Sequence, residues 1–284
     1  MVIPERIARA CLGSSERMTW LEHLPKTIRD LQETWSLSVG QPFDHGDATC
    51  AWVAPVVRRD GTRAVLKLGM PHMEGAHEAH GLRFWDGNPT VRLLDTEVDD
   101  NAMLLEWCEP GSALRDRPEL EQDVVLAGLF RRLWRRPATP HLFRPLAEMT
   151  AYWAEEARAT AHLCPDAGLV QEGLRLFDEL SRPSADDVLL ATDLHAGNVL
   201  SAQREPWLVI DPKPFVGDRV YDATQHLFDC RARLLADPMA TIDHFADHLE
   251  IDNERLRLWM FARSAAQPRD TWDDESLSLA KALA

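Results

Sequence analysis

Lysine is scarce in this 284-residue chain: of 31 basic residues only four are lysines, Lys26, Lys67, Lys213 and Lys281. That scarcity makes the place of each one informative. Long apolar runs are missing as well. None reaches the roughly 18 residues that a membrane-spanning helix needs. The opening stretch MVIPERIARACLG mixes charge with apolar residues and lacks the continuous apolar core of a secretion signal. A cytoplasmic protein with no membrane partner is therefore expected. There is no CxxC pair: Cys11, Cys50, Cys108, Cys164 and Cys230 are scattered and odd in number. This argues for free thiols and against a disulfide framework or a zinc cluster. No P-loop, dinucleotide fingerprint, G-x-S-x-G elbow, internal repeat or low-complexity segment occurs. An excess of positive charge is also lacking. A net charge of −15 argues against nucleic acid as a partner, whereas such a field favours a cationic ligand.

What is present is a chain with 45% hydrophobic residues, enough for a sizeable core. Residues 15–35 carry Trp20, Leu21, Leu24, Ile28, Leu31 and Trp35 at near-helical spacing, with Pro25 expected to kink or divide the helix. Three strand-like runs follow, SLSVGQPF, ATCAWVAPVV and TRAVLKLG, the last two joined through the hairpin signal Asp60-Gly61. A helix over about 73–86 and the strands VRLLD and AMLLEW complete a β-rich segment over residues 1–107. CEPGS, residues 108–112, has linker chemistry. Residues 113–284 are mainly helical, over about 117–136, 145–162, 167–181 and 218–267, interrupted by short strands near 189 and 207. The expected fold is α+β and two-lobed, a β-rich N-terminal lobe hinged to a mainly helical C-terminal one.

Three places carry chemistry. Lys67 lies inside the alternating strand AVLKLG, where a lysine must snorkel from an edge or meet an anion. The next helix offers Glu74 and Glu78 one turn apart, and either could reach back to it. Such a pair fixes an ammonium so that it can grip phosphate oxygens. In LLATDLHAGNVL, Asp193 and Asn198 stand five residues apart. That is the kinase catalytic-loop spacing between the aspartate that takes a hydroxyl proton and the asparagine that holds Mg²⁺. Asp211 follows the apolar run WLVI, where a second metal-binding carboxylate is expected. Oxygen donors of this kind suit a hard ion held jointly with nucleotide phosphates. Lys213 is close to that presumed metal and either contacts phosphate or pairs with an acid. HEAH at 77–80 is one residue short of the zinc motif H-E-x-x-H, and His244 and His248 read as an exposed polar helix face.

LLATDLHAGNVL, PWLVIDPKPFVGD and YDATQHLFDC resemble the aminoglycoside and hydroxyurea phosphotransferase family, and AVLKLG, HEAHGLRFWDG, VRLLD and MLLEWCEPGSAL fit it in the same order. The resemblance runs from about residue 36 to 265. It implies a protein-kinase-like fold and transfer of the γ-phosphate of ATP to an antibiotic hydroxyl, with ATP and Mg²⁺ as cofactors. By matching motifs, Asp193 would be the catalytic base, Asn198 and Asp211 the Mg²⁺ ligands, and Lys67 the phosphate clamp with Glu78 as its ion-pair partner. Glu106, Trp107 and Cys108 would form the adenine hinge, and the loop DHGDAT with Thr49 would cover the phosphates. Asp218, Asp222 and His226 are expected either against a cationic acceptor such as streptomycin or, for the two aspartates, in capping and bracing. A monomer is expected. Ala191-Thr192 replaces the His-Gly that many relatives carry before the aspartate, so another brace is needed, for which His195 is a candidate. The rival readings are another acceptor (hydroxyurea, choline, a sugar or an amino alcohol) and a catalytically silent binding module. Against the silent module, the set Lys67, Asp193, Asn198 and Asp211 is complete.

Overall fold

The computed structural model describes residues 2–44, 50–97, 101–267 and 272–284. Its elements run α1 (Glu5–Ala10), α2 (Ser15–Thr34), β1 (Leu37–Val39), β2 (Ala51–Arg58), β3 (Arg63–Gly69), α3 (Glu78–Trp85), β4 (Leu93–Glu97) and β5 (Ala102–Glu106). Then come α4 (Glu119–Leu133), α5 (Leu146–Thr160), α6 (Ala167–Leu180), β6 (Val188–Leu190), β7 (Val199–Ser201), β8 (Trp207–Val209) and β9 (Phe215–Gly217). The chain ends in α7 (Arg219–Asp229), α8 (Arg231–Ala236), α9 (Pro238–Leu249), α10 (Asn253–Ala266) and α11 (Asp274–Leu283). It divides into two compact units, Met1–Gly111 with Ala202–Leu208 and Ser112–Ser201 with Val209–Ala284. Residues 202–208, expected with the second lobe, therefore belong to the first. Among the described residues no helix is long and apolar enough to cross a membrane.

The first unit rests on a five-stranded sheet of order β1-β2-β3-β5-β4, antiparallel at every pairing. The β2–β3 hairpin turns at Asp60-Gly61 as the sequence signals. Asp60 Oδ1 accepts from the Thr62 backbone N–H at 2.9 Å, and Gly61 takes φ +83°, which a side chain would oppose. Helix α2 buries Leu24, Ile28 and Leu31, one stripe at i, i+4 and i+7, in a cluster with Trp52, Ala54, Val56, Leu66 and Leu68. Pro25 neither ends nor divides this helix. In β3 the alternation sends Ala64, Leu66 and Leu68 into that cluster and Lys67 to the other face. Lys67 sits mid-sheet, paired with Val53 on one side and Met103 on the other, so it has no edge from which to snorkel.

The second unit is mainly helical, with β6 and β9 paired antiparallel from Val188↔Gly217 to Leu190↔Phe215. The long helical stretch expected over 218–267 is four helices. Asp218, Asp237 and Asp252 cap the starts of α7, α9 and α10 by accepting from the backbone N–H groups of Val220, Ala240 and Arg255. Between α4 and α7 lies a buried polar knot. His226 Nε2 donates to Asp123 Oδ1 at 2.7 Å, and Arg233 forks onto the same carboxylate at 2.6 and 3.0 Å. With Cys230, these side chains place three metal-competent donor atoms within 4.8 Å of one another. The Arg233 guanidinium already balances the buried carboxylate there, and burial pushes the Cys230 thiol up to about 12, so the cluster reads as a charge-balanced brace.

Burial alone would raise the Asp123 carboxyl, but hydrogen bonds from His226 and Arg233 outweigh it and hold the group at about 2. A depressed folded-state value means that Asp123 stabilises the fold fully above about pH 4, and that this contribution fades as pH falls towards 2. Asp123→Asn should cost about 3 kcal/mol at pH 7. In urea unfolding, the gap between native chain and variant should close between pH 4 and 2.

Candidate active site

In the first unit, Lys67 Nζ donates to both carboxylate oxygens of Glu78, each at 2.6 Å, with the two side chains only 8% and 7% exposed. Of the two glutamates that spacing allowed, the structure uses Glu78, the first residue of α3. Removing one partner of such a buried ion pair typically costs about 3–5 kcal/mol. The strand end 106–108 is also tied down. Glu106 N–H donates to the Arg92 carbonyl at 2.9 Å. Its carboxylate accepts from Arg204 Nε and Nη2 at 2.9 and 2.8 Å. Burial works to raise that carboxyl, yet the Arg204 fork leaves it below the usual range. Arg204 thus secures residues 202–208 to this unit, and nothing in the charge pattern had marked it. Trp107 is sandwiched, with the Arg63 guanidinium 3.8 Å from its ring centroid and Phe43 stacked at 6.4 Å. Its Nε1–H donates to Glu109 at 2.8 Å. Burial, reinforced by Glu106, pushes the Cys108 thiol up to about 11, so it stays a neutral thiol near pH 7. Thr49 and most of the DHGDAT loop lie outside the described residues.

In the second unit, the turn from β6 towards β7 holds Asp193 and Asn198, and the turn after β8 holds Asp211. The Asn198 amide Nδ2 donates to the Asp193 carbonyl at 2.9 Å, so Oδ1 is the atom with which this side chain could hold a metal. Ile210 N–H donates to the Asn198 carbonyl at 2.9 Å, so the backbone holds the two turns in register. Lys213 lies between the acids, its Nζ 2.9 Å from Asp193 Oδ2 and 3.1 Å from Asp211 Oδ2. The aspartate side chains are 32% and 37% exposed, Lys213 only 9%. Two carboxylates and an amide oxygen, open to solvent and already attracting a cation, fit the hard oxygen-donor set that Mg²⁺ prefers.

What braces this loop, in place of the missing His-Gly, is Thr192 together with Asp222. Thr192 has φ +49°, a left-handed conformation unfavourable for a β-branched residue, and Asp211 has φ +53°. Thr192 is held there from two sides. Its N–H donates to Asp222 Oδ1 at 2.7 Å, and its hydroxyl donates to the Lys213 carbonyl at 2.7 Å. Asp222 Oδ2 accepts from Ala191 N–H at 3.1 Å and from Trp134 Nε1 at 3.0 Å. Full burial of Asp222 pushes its carboxyl up to about 6 despite these three donors. His195 braces too, since its Nδ1 lies 2.6 Å from Asp229 Oδ2. The Arg115 guanidinium packs against Gly197, in space that a Cβ there would claim.

The three residues considered for the acceptor pocket are occupied elsewhere. Asp218 caps α7 and accepts from Arg255 Nε at 2.6 Å and Trp259 Nε1 at 2.7 Å. Asp222 and His226 are wholly buried. Of the two alternatives the sequence left, the structure therefore gives both aspartates the capping and bracing tasks, and it puts His226 in the core. YDATQH marks a helix start and its packing face, which sequence alone does not separate from a binding face.

The fold is that of the kinase-like small-molecule phosphotransferases. A choline kinase from Streptococcus pneumoniae superposes with a TM-score of 0.60 at 12% identity, over 92% of this chain and 97% of its own. The sequence narrows this class. The family model for aminoglycoside/hydroxyurea antibiotic resistance kinases matches residues 36–274, and the chain belongs to that family. A streptomycin 6-kinase of Streptomyces glaucescens is 35% identical over 98% of this chain and 92% of its own length. A hydroxyurea phosphotransferase of Kitasatospora aureofaciens is 36% identical over 88% of this chain and 74% of its own. The protein is a phosphotransferase.

Asp222→Ala would leave three buried N–H donors without their acceptor. We expect a loss of about 3 kcal/mol or more in urea unfolding. A partial repair by Asp222→Asn, which keeps one acceptor oxygen, would be measured in the same titration.

Proposed function

We propose that the chain transfers the γ-phosphate of MgATP to a hydroxyl of streptomycin. The observation that carries this reading is the 35% identity along 98% of the chain to a streptomycin 6-kinase. A net charge of −15 suits a cationic acceptor. A choline kinase of the same fold, crystallised in complex with AMP, supports nucleotide as the donor.

In this reading Asp193 orients the acceptor hydroxyl and takes its proton as the new O–P bond forms and the bond to the β–γ bridging oxygen breaks. Its half-buried carboxylate, oriented by Lys213, is suited to that task. Asn198 and Asp211 would hold Mg²⁺, which when bound would offset phosphate charge. Lys67, kept in place by Glu78, would grip the α- and β-phosphates, and the backbone of residues 106–108 would receive adenine. Thr49 and its loop would cover the phosphates. Positioning and electrostatics would supply most of the rate. The engagement of Asp218, Asp222 and His226 elsewhere favours a second reading, in which the acceptor is hydroxyurea. The hydroxyurea phosphotransferase at 36% identity supports that alternative equally well by sequence.

ADP release from MgATP, with and without each acceptor, tests both. Streptomycin-dependent release that falls by about 10²–10⁴-fold in Asp193→Ala is the expected result. Release driven by hydroxyurea alone would replace the acceptor. Binding of ATP with no release on either compound, or on a wider panel of amino alcohols, would overturn antibiotic phosphorylation.

A further inference from the structure

We propose that Lys213 is the resident counter-ion of the Asp193–Asp211 carboxylate pair, and that a divalent metal binds at Asp211 only by displacing the Lys213 ammonium. The observation is the bridge itself, 2.9 Å to one acid and 3.1 Å to the other, from a side chain that is 9% exposed beneath two more open carboxylates. The backbone of Lys213 cannot yield. Its N–H donates to the Ala191 carbonyl at 2.9 Å, and its own carbonyl accepts from the Thr192 hydroxyl at 2.7 Å. Only the flexible four-carbon stem can move, and an ammonium on such a stem is a point charge able to exchange partners.

The geometry sets up a competition. A hard divalent ion sits about 2.1 Å from its oxygen ligands. An ion held by Asp211 Oδ2, the oxygen 3.1 Å from Lys213 Nζ, would fall within about 5 Å of an ammonium that kept its present place, and like charges so close repel strongly at any protein dielectric. In the nucleotide-free protein the ammonium offsets part of the charge of the two acids, which lowers their appetite for metal. This further step rests on the MgATP reading above: nucleotide phosphates give the ammonium a new acceptor. Until nucleotide arrives, the lysine holds the Asp193 carboxylate in its orientation. Lys213 is on this account a positioning residue for the base and a gate on the metal ligand.

The experiment is a Mn²⁺ titration of the full chain without nucleotide, followed by electron paramagnetic resonance. It compares the native chain with Lys213→Met, Lys213→Arg and the double variant Lys213→Met/Asp211→Asn, each checked by circular dichroism. Lys213→Met should bind one Mn²⁺ at least about tenfold more tightly than the native chain. Lys213→Arg should stay near native, and the double variant should lose the gain. Equal affinity in native chain and folded Lys213→Met overturns the proposal. Should Lys213→Met fail to fold, the native chain still decides. With only four lysines, ¹³Cε-lysine NMR can follow the Lys213 signal, identified by its absence in Lys213→Arg, through a Mg²⁺ titration. A shift in step with metal binding supports displacement, and metal binding with an unmoved signal refutes it. Native chain that phosphorylates no acceptor, yet shows the competition, would sink the kinase reading and leave the counter-ion in place. Turnover with no competition would do the reverse.

Discussion

The second unit's chemistry depends on one buried carboxylate. Asp222 meets no solvent, and it accepts from two consecutive backbone N–H groups, Ala191 and Thr192, and from the Trp134 indole. Those bonds hold Thr192 in a left-handed conformation that its branched side chain resists, and this turns the chain so that Asp193 emerges at the surface. Burial lifts the Asp222 carboxyl to about 6, an indication that the site is unfavourable for charge and is maintained for the geometry it imposes. Helix α7 carries Asp222 and is itself started by the Asp218 cap. The cap is in turn fixed by Arg255 and Trp259 of α10. The loop that carries Asp193 is thus anchored through successive hydrogen bonds to the helical core.

Much of this was readable in the sequence, and the reasons differ from place to place. The helix over 15–34 was legible because its apolar stripe is strict, and the hairpin at Asp60-Gly61 because few residue pairs tolerate that turn. Lys67 stood out because β3 alternates and a charge at its centre breaks the pattern. The nearness of Asp193, Asn198 and Asp211 could be expected because short turns leave little freedom in where such side chains are placed. The roles of Asp218, Asp222 and His226 could not be separated. An acid at a helix start, an acid facing a loop and a histidine in a core leave the same trace as a pocket-lining row. Short strands such as β9 carry too few residues to show a period. Arg204 was invisible for another reason: its partner Glu106 lies 98 positions away.

The Ala191-Thr192 pair illustrates how a local departure can be absorbed. A His-Gly sequence would offer an imidazole brace and a residue free to take positive φ. Here threonine takes the positive φ at some cost, and its hydroxyl supplies a bond to the Lys213 carbonyl. One of the two ties to the 211–213 turn therefore comes from the very residue that carries the strain, the other being the Lys213 N–H to the Ala191 carbonyl. His195, anchored on Asp229, steadies the far side of the loop. A glycine at 192 would relieve the strain and forfeit the hydroxyl, which suggests why the two features occur together.

The division of labour between arginine and lysine follows the same physics. Where this chain needs a permanent clamp on a carboxylate it uses arginine, on Glu106, Asp123 and Asp218. A planar guanidinium fits a carboxylate with two parallel hydrogen bonds and loses little entropy in doing so. Two of its four lysines are buried instead beside the acids that matter for chemistry, Lys67 with Glu78 and Lys213 with Asp193 and Asp211. An ammonium holds an anion without a fixed plane and can exchange one oxygen for another at little geometric cost. The two pairs differ in what surrounds the ammonium: Glu78 holds Lys67 through both carboxylate oxygens, whereas Lys213 divides its contacts between two acids and is the one suited to exchange.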